Sequence, residues 1–359
     1  MIADSRIRPY TNPTILYLYS EVMGYTLTPI RYLIRNHGCT VYLVYWDTKK
    51  LTPYQIPAIE GLHTRPRSSF KSSEELTEWT KVLQPDLVYV SGRMDELYLK
   101  AALAFRKKKV PLVSGMDNQW QGTWRQRIAV CFSYFFYRRY FDYLWVAGPL
   151  QYLYAVKLGY TPDKILQQMY SADTELFTGR MKKNNLSADR VLLFVGRLDR
   201  VKGIEQAVKI FLKVREKSKY NWQLKLIGSG PLDGKLAQSP YVQYIPFLSP
   251  SELALQVENA SAFLLPSINE PWGVVVHEMA AAGMPLFTSD KVGANAAFLI
   301  PGYNGYIFEA GNTNDFKTKL LHMLNLPDET LTLMGERSMK LAQKITPEYA
   351  AASLFSVLQ

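Results

Sequence analysis

Two carboxylates eight residues apart, Glu270 and Glu278, stand in the stretch NEPWGVVVHEMAAAG (269–283). Pro271, Trp272, Gly273 and Val274 follow the first of them. The apolar run AFLLPS (262–267) just before reads as a buried strand. Pro271 suits the first position of a helix, because its missing N–H would be unpaired there anyway. The sequence therefore predicts a helix over 271–282, with Glu270 in the strand-to-helix loop. At ~1.5 Å rise per residue, Glu278 lies about 12 Å further along and on roughly the same side. Gly273 and its neighbours leave backbone N–H groups at the positive end of the helix dipole, where an anion is stabilised. That arrangement suits a long ligand with a diphosphate in its middle and hydroxyls at both ends. The plainer alternative is a glutamate in the first helical turn and a second, solvated glutamate on the helix surface.

Two further glycine-bearing loops follow strand-like runs. GRLDRVKG (196–203) comes after VLLFV; Gly196 permits a tight turn, and Arg197 and Lys202 place two cations together. Arg offers a planar fork and Lys a point charge, a pairing that suits a diphosphate. Gly203 opens the helical pattern IEQAVKIFLKV. GSGP (228–231) follows WQLKLI, and Gly228 and Gly230 either let backbone approach a ligand or simply make a turn. No D-x-D and no histidine cluster with ligand spacing is present.

The elements that must position these groups alternate between two patterns. TILYLYS (14–20), TVYLVYW (40–46), DLVYV (86–90), VPLVSG (110–115) and YLWVAG (143–148) are apolar runs bounded by turns. After residue 180 the series resumes with VLLFVG (191–196), WQLKLIG (222–228), VQYIPF (242–247), AFLLPS (262–267), MPLFTS (284–289) and GYIFEA (305–310). Such runs read as strands of parallel sheets buried on both faces. Helical stretches such as 29–38 and 73–84 lie between them; the second opens at Ser73 with glutamates in its first turn. The polar stretch TGRMKKNNLSADR (178–190) is the expected linker. The fold class is thus α/β, with two Rossmann-like doubly wound domains facing across a cleft. The expected domains are 1–178, 179–345, and a C-terminal helix over 346–359 that returns to the first.

Composition narrows the field. The chain is 48% hydrophobic and 20% charged, as ordinary globular proteins are. It has no run of 18 uncharged apolar residues, and its first residues lack an apolar signal core, so neither a membrane span nor a secretory signal is expected. Two cysteines are too few for a disulfide framework and fit a reducing cytoplasm. The net charge of +11 is uneven: residues 1–180 hold 23 Lys/Arg against 15 Asp/Glu, so most of the excess lies there. A polyanion or an anionic membrane face could use it; a merely soluble basic protein is the bland alternative.

Taken in order, GRLDRVKG, GSGP, NEPWGVVVHEMAAAG and PGYNGYIFEAG resemble the retaining glycosyltransferases of family 4 (group 1 glycosyltransferases), which have the GT-B fold. YSADTELF (170–177) is similar to the family's interdomain segment. The resemblance covers nearly the whole chain and is strongest from about 190 to 312. It implies that Arg197 and Lys202 hold the donor diphosphate, and that Glu270 contacts the donor sugar. It further implies that Gly273 and Val274 offer N–H groups, that Glu278 binds the ribose hydroxyls, and that Pro246, Phe247 and Leu248 line the base. Gly196, Gly228, Gly230, Pro271 and Trp272 complete the donor side. The first βα loop, SEVMGYT (20–26), carries Gly24 where the family often has Gly-Gly, and Gly24 and Tyr25 are its acceptor-side candidates. A family histidine is replaced in the loop SGMDNQW (114–120), where Asp117 is the candidate polar contact. Pro246 stands where the family prefers glycine.

The resemblance implies transfer from a UDP- or GDP-sugar to a hydroxyl of a saccharide or lipid-linked saccharide, with no metal and no cofactor. Cell-surface polysaccharide synthesis is the expected setting. The alternatives are a non-catalytic nucleotide-sugar binding or assembly protein, or a nucleotide-sugar epimerase on the same architecture. The stretch WRQRIAVCFSYFFYRRYFDYLW (124–145) interleaves aromatics with arginines and could lie in an anionic membrane interface; the alternative is a core helix with cationic ends. The nucleotide-sugar motifs leave no need for a nucleic-acid partner. The expected location is the cytoplasm, peripheral to the inner face of the membrane.

Overall fold

A computed structural model describes residues 12–48, 53–181 and 190–359. Each apolar run listed above contains a strand, and every strand pairing is parallel. The first sheet holds β1 (Thr14–Tyr19), β2 (Thr40–Tyr45), β3 (Leu62–Pro66), β4 (Leu87–Val90), β5 (Leu112–Met116), β6 (Tyr143–Val146) and β7 (Ile165–Leu166), in the order β3-β2-β1-β4-β5-β6-β7. The second holds β8 (Arg190–Val195), β9 (Trp222–Ile227), β10 (Val242–Ile245), β11 (Ala262–Leu265), β12 (Leu286–Ser289) and β13 (Gly305–Phe308), in the order β10-β9-β8-β11-β12-β13. Successive strand residues point to opposite faces, yet Leu192, Leu193 and Phe194 are all fully buried. Both faces of that sheet are therefore covered, which is why its strands lack polar alternation.

Strands β3 and β7 escape the sequence reading. β3 is the edge strand Leu-His-Thr-Arg-Pro, half exposed and polar. β7 is only two residues long. One helix start also differs from expectation. The helix over 29–38 begins earlier, at Gly24, and ends at His37 before a left-handed Gly38. The other helix opens at Ser73 as expected and runs Ser73–Leu83, with Ser72 as its cap: the Ser72 hydroxyl accepts the Glu75 N–H at 3.3 Å.

The chain divides into two compact units. The first comprises residues up to 170 together with 347–359; its closing helix Pro347–Phe355 packs on the helix Gly24–His37, with Phe355 stacked on His37 at 4.1 Å. The second comprises 171–346. Residues 171–178, placed in the first domain from sequence, fold with the second unit. Backbone bonds hold them there: the Ala172 N–H donates to His277 Nδ1 at 3.0 Å, and the Gly179 N–H to the Ala281 carbonyl at 3.1 Å. Of the expected linker 178–190, residues 182–189 lie outside the described residues. Immediately after it, the buried Arg190 anchors the foot of β8. Its guanidinium lies 3.4 Å from the Tyr220 ring centroid, donates to the Leu326 carbonyl and pairs with Asp328.

Candidate active site

Strand order decides where a ligand belongs. In an open parallel sheet, the crevice lies outside the carboxyl ends of the two strands where the order reverses. In the second unit those strands are β8 and β11. The loop after β8 carries Gly196, Arg197 and Lys202; the loop after β11 carries Glu270. The two loops are stitched together by the Ile268 N–H donating to the Val201 carbonyl at 2.8 Å. Gly203 makes that approach possible: its φ is 66°, and a Cβ there would stand 2.2 Å from the Pro266 carbonyl oxygen.

Within this crevice Lys202 Nζ pairs with the Glu270 carboxylate, and the Ser267 hydroxyl donates to the same carboxylate oxygen at 3.1 Å. Glu270 is only 9% exposed. Asp199 organises the cations: one of its oxygens accepts the Lys202 N–H at 3.0 Å, and the other pairs with Arg197. The Arg197 side chain remains about a third exposed. Three sequence-predicted residues, Arg197, Lys202 and Glu270, thus meet at one switch point. Ser267 and Asp199 were not anticipated, although Asp199 lies inside GRLDRVKG and Ser267 ends the run AFLLPS.

The helix after β11 is shorter than expected. It spans Val274–Ala282, and Gly273, with φ 93°, forms its cap. Pro271 is therefore not the first helical residue. The reason is a tertiary tie: Glu270 bridges Val292, the Gly293 N–H donates to the Glu270 carbonyl at 3.0 Å, and the Ala294 N–H to the Trp272 carbonyl at 2.9 Å. These bonds hold 270–272 extended beside 292–294. The Trp272 side chain is buried and edge-on to Phe298, with ring centroids 6.2 Å apart. Gly273 and Val274 begin the helix, where N–H groups have no partner within the helix.

Glu278 is half-buried one turn further along, and burial pushes its carboxyl up to about 7, with the Asp173 carboxylate adding to the effect. His277, its neighbour, is structural. Its Nδ1 accepts the Ala172 N–H, its Nε2 lies 3.0 Å from the Ala342 carbonyl, and its ring stacks on Phe298 at 4.3 Å. Burial lowers its pKa to about 4, so it stays neutral.

Gly228 and Gly230 serve loop packing. A Cβ on Gly228 would stand 2.0 Å from the Gly196 carbonyl oxygen, and one on Gly230 2.5 Å from that of Leu198. The loops after β8 and β9 therefore lie backbone to backbone. Pro246, Phe247 and Leu248 follow β10 at the same edge, where the Ser229 hydroxyl accepts the Phe247 N–H at 3.2 Å.

The first unit has its own pocket at the carboxyl edge, of about 400 Å³, lined by residues including Tyr19, Ser20, Ser91, Arg93, Asp117 and Tyr170. It also sits at a switch point, between β1 and β4, where the Ser20 N–H donates to the Ser91 hydroxyl at 2.9 Å. Asp117 accepts a hydrogen bond from the Tyr170 hydroxyl at 3.4 Å, and Tyr25 meets Tyr170 edge-on at 5.2 Å. Gly24 is the first residue of the helix bearing Tyr25. Sequence reasoning named Tyr25 but missed the other tyrosines. Tyr17, Tyr19 and Tyr89 stack on one face of the sheet, and Gly115 leaves room for the Tyr89 hydroxyl, from which a Cβ would be only 2.2 Å away. Burial raises the Tyr19 hydroxyl to about 12, so it acts as a neutral donor. Among the described residues no three His, Cys, Asp or Glu side chains could hold a metal ion.

An uncharacterized glycosyltransferase of Methanocaldococcus jannaschii is 28% identical over 162 residues, 44% of this chain and 44% of that protein. The chain spans between about a quarter and half the length of the first curated relatives it matches. Solved structures agree over nearly the whole chain. Sucrose-phosphate synthase from Thermosynechococcus elongatus superimposes with a TM-score of 0.72 at 18% identity, over 97% of this chain and 98% of that one. The Anabaena HepE protein in complex with UDP-glucose gives 0.69 at 14%, over 96% and 99%. The chain has the GT-B fold of two parallel-sheet, Rossmann-like domains, and its residues 178–341 match the family model described as glycosyl transferases group 1.

Proposed function

We propose that the chain is a retaining, metal-independent glycosyltransferase. It moves a hexosyl group from a nucleoside-diphosphate sugar, UDP- or GDP-linked, to a hydroxyl of a saccharide or lipid-linked saccharide. The setting is cell-surface polysaccharide synthesis at an anionic membrane face. The observation that carries this reading is the meeting of Arg197, Lys202 and Glu270 at the β8/β11 switch point, beside the amino end of the helix Val274–Ala282. The family match over 178–341 includes all of these residues, and HepE, which shares the fold, is found with UDP-glucose.

In this reading the diphosphate lies between Arg197, Lys202 and the N–H groups of Gly273 and Val274. As the bond from sugar to phosphate breaks, positive charge grows on the sugar and negative charge on the departing phosphate. Fixed cations and N–H donors stabilise the second, supplying several kcal/mol. The Glu270 carboxylate faces the first. The incoming hydroxyl gives its proton to an oxygen of the departing phosphate as the new bond to the sugar forms. Because two cations and a helix end neutralise the phosphate, turnover is expected to survive chelation of divalent metals. Asp117 and Tyr170 in the first unit's pocket, with Tyr25 edge-on to Tyr170, supply hydrogen bonds of the kind a saccharide accepts and donates.

A thermal-shift panel of UDP, GDP, CDP and dTDP with their sugars tests the reading, since a ligand that binds only the folded state raises stability. One nucleotide series is expected to stabilise the protein, and silence across the panel overturns the proposal.

Glu278 adds a pH signature. Ribose hydroxyls donate to a carboxylate more strongly than to a carboxylic acid. Binding therefore draws the proton off a carboxyl that titrates near 7. Affinity for the nucleotide-sugar should rise with pH, by roughly tenfold at most between pH 6 and 8. Calorimetry on wild type and Glu278→Gln checks it: the variant's profile should be flat. A wild-type profile as flat as the variant's would contradict the assignment.

A further inference from the structure

The stretch 124–145 is not absorbed by the site above. It forms the helix Trp124–Cys131 and a wide π-helical turn, Tyr134–Arg138, a geometry that is rare and frequent at functional sites. Its inner side is anchored: Val130 and Tyr137 pack against a buried cluster that includes Leu144, Tyr154 and Leu158. Its outer side is not. Trp124 is 67% exposed, Phe132 52%, Tyr134 59% and Phe135 59%. The next helix, Pro149–Lys157, also turns apolar residues outward, with Leu150, Leu153 and Val156 all exposed. One connection runs from β5 to β6 and the other from β6 to β7. Right-handed crossovers between successive neighbours put both on the same face of the sheet. An exposed apolar surface of this extent on one face marks an interaction site.

A cavity of about 680 Å³ opens beside it, at the amino edge of β5, β6 and β7, the edge opposite the pocket holding Asp117. Arg106, Lys109, Arg138 and Lys164 line it, against one acid, Asp142, which Arg106 already pairs at 3.4 Å. Arg106 also donates to the Arg139 carbonyl at 2.7 Å, and Lys164 to the Tyr143 hydroxyl at 2.9 Å. Those two cations are braced, while Lys109 and Arg138 are exposed, and their exposed sequence neighbours Lys107, Lys108 and Arg139 add charge. Tyr134 and Arg138 line the cavity and belong to the same turn as Phe135. The anion pocket and the aromatic shelf are thus one structure.

We propose that this face docks on an anionic phospholipid bilayer, with a lipid phosphate seated among Lys109, Arg138, Arg106 and Lys164 while Phe132, Tyr134, Phe135 and Trp124 enter the interface. Aromatic side chains beside a cationic rim match the chemistry of a bilayer surface, apolar below and negatively charged above. The proposal rests on the membrane-associated part of the reading above and specifies the surface, but not on the transfer chemistry.

Flotation of the full chain with phosphatidylcholine vesicles, and with vesicles that also contain phosphatidylglycerol, tests it. Binding is expected only with the anionic lipid and is expected to weaken with salt. Lys109→Ala with Arg138→Ala should lower it on the order of tenfold. Phe135→Ser, at a well-exposed position, should lower it several-fold. Nucleotide stabilisation, measured on the same samples, should be unchanged in every variant, so that loss of docking and loss of the donor site are told apart. Titration with glycerol 3-phosphate separates the two sources of phosphate: weak binding is expected. No vesicle binding by wild type, equal binding to neutral vesicles, indifference to both sets of substitutions, or glycerol 3-phosphate binding as tight as vesicle binding would each overturn the proposal.

Discussion

Glu270→Gln is expected to lower sugar transfer, or donor hydrolysis in the absence of acceptor, by about three orders of magnitude, while leaving nucleoside-diphosphate binding within a few-fold of wild type. The two halves of this result come from one geometry. Glu270 is buried against Lys202 and Ser267, so the amide keeps the shape of the side chain but not its charge. In the proposed reading, what is lost is the negative group facing the sugar as positive charge develops there. The diphosphate contacts, assigned to Arg197, Lys202 and the helix end, remain. Indeed Lys202 no longer has an anionic partner and is freer to meet phosphate. Glu270→Ala is a poorer test, because it also removes the side-chain volume and the acceptor for the Ser267 hydroxyl, leaving a buried donor unpaired at a further cost of about 1–3 kcal/mol. Single-turnover assays beside nucleotide titrations check the split. Equal loss of binding and turnover would assign Glu270 to ground-state binding alone.

The second large effect is on the backbone that carries the site. Gly293→Ala should destabilise the second unit by about 2–4 kcal/mol and weaken nucleotide binding with it. A Cβ at 293 would stand 2.1 Å from the Pro271 carbonyl oxygen and 3.3 Å from the Trp272 Cα. Neither atom belongs to a flexible side chain, so the strip 270–272 must move away. That strip holds Glu270 against Lys202 and delivers Gly273 to the head of its helix. Gly302→Ala is the comparison: its Cβ would have nothing within 4 Å, although its φ of 76° carries its own strain. Denaturant unfolding and nucleotide titration measure both variants. A Gly293→Ala protein as stable as wild type, binding nucleotide equally well, would mean that the tie between 270–272 and 292–294 does not position the site.

These two substitutions mark what the sequence could and could not reveal. That Glu270, Arg197 and Lys202 lie in loops at strand ends was legible from their place after apolar runs, while the plainer reading of Glu278 as a surface glutamate stayed open in the sequence. Strand cores were equally legible, since a run such as VLLFV has no polar alternation and must be buried on both sides. Strand order was not legible, and it is strand order that brings the loops after β8 and β11 together. Partners across sequence were also hidden. Gly293 lies in KVGANAAFL (291–299), and its role appears only once Pro271 is beside it. The same tie explains why Pro271 fails to start the helix: local propensity yields to hydrogen bonds from 293 and 294. Gly228 and Gly230 were read as ligand-facing or turn residues, but contact with Gly196 and Leu198 accounts for them. In the first unit, Tyr17, Tyr19 and Tyr89 looked like ordinary strand aromatics. Only the sheet register, with Tyr17 opposite Tyr89, gathers them onto one face.

The central claim is that Arg197, Lys202 and the head of the helix Val274–Ala282 clasp a diphosphate beside Glu270. A crystal structure with bound nucleoside diphosphate tests it most directly. The account predicts phosphate oxygens within hydrogen-bonding distance of Arg197, Lys202 and the N–H groups of Gly273 and Val274, with ribose hydroxyls on Glu278. Nucleotide density at any other place in the second unit, or none there at all, would contradict it.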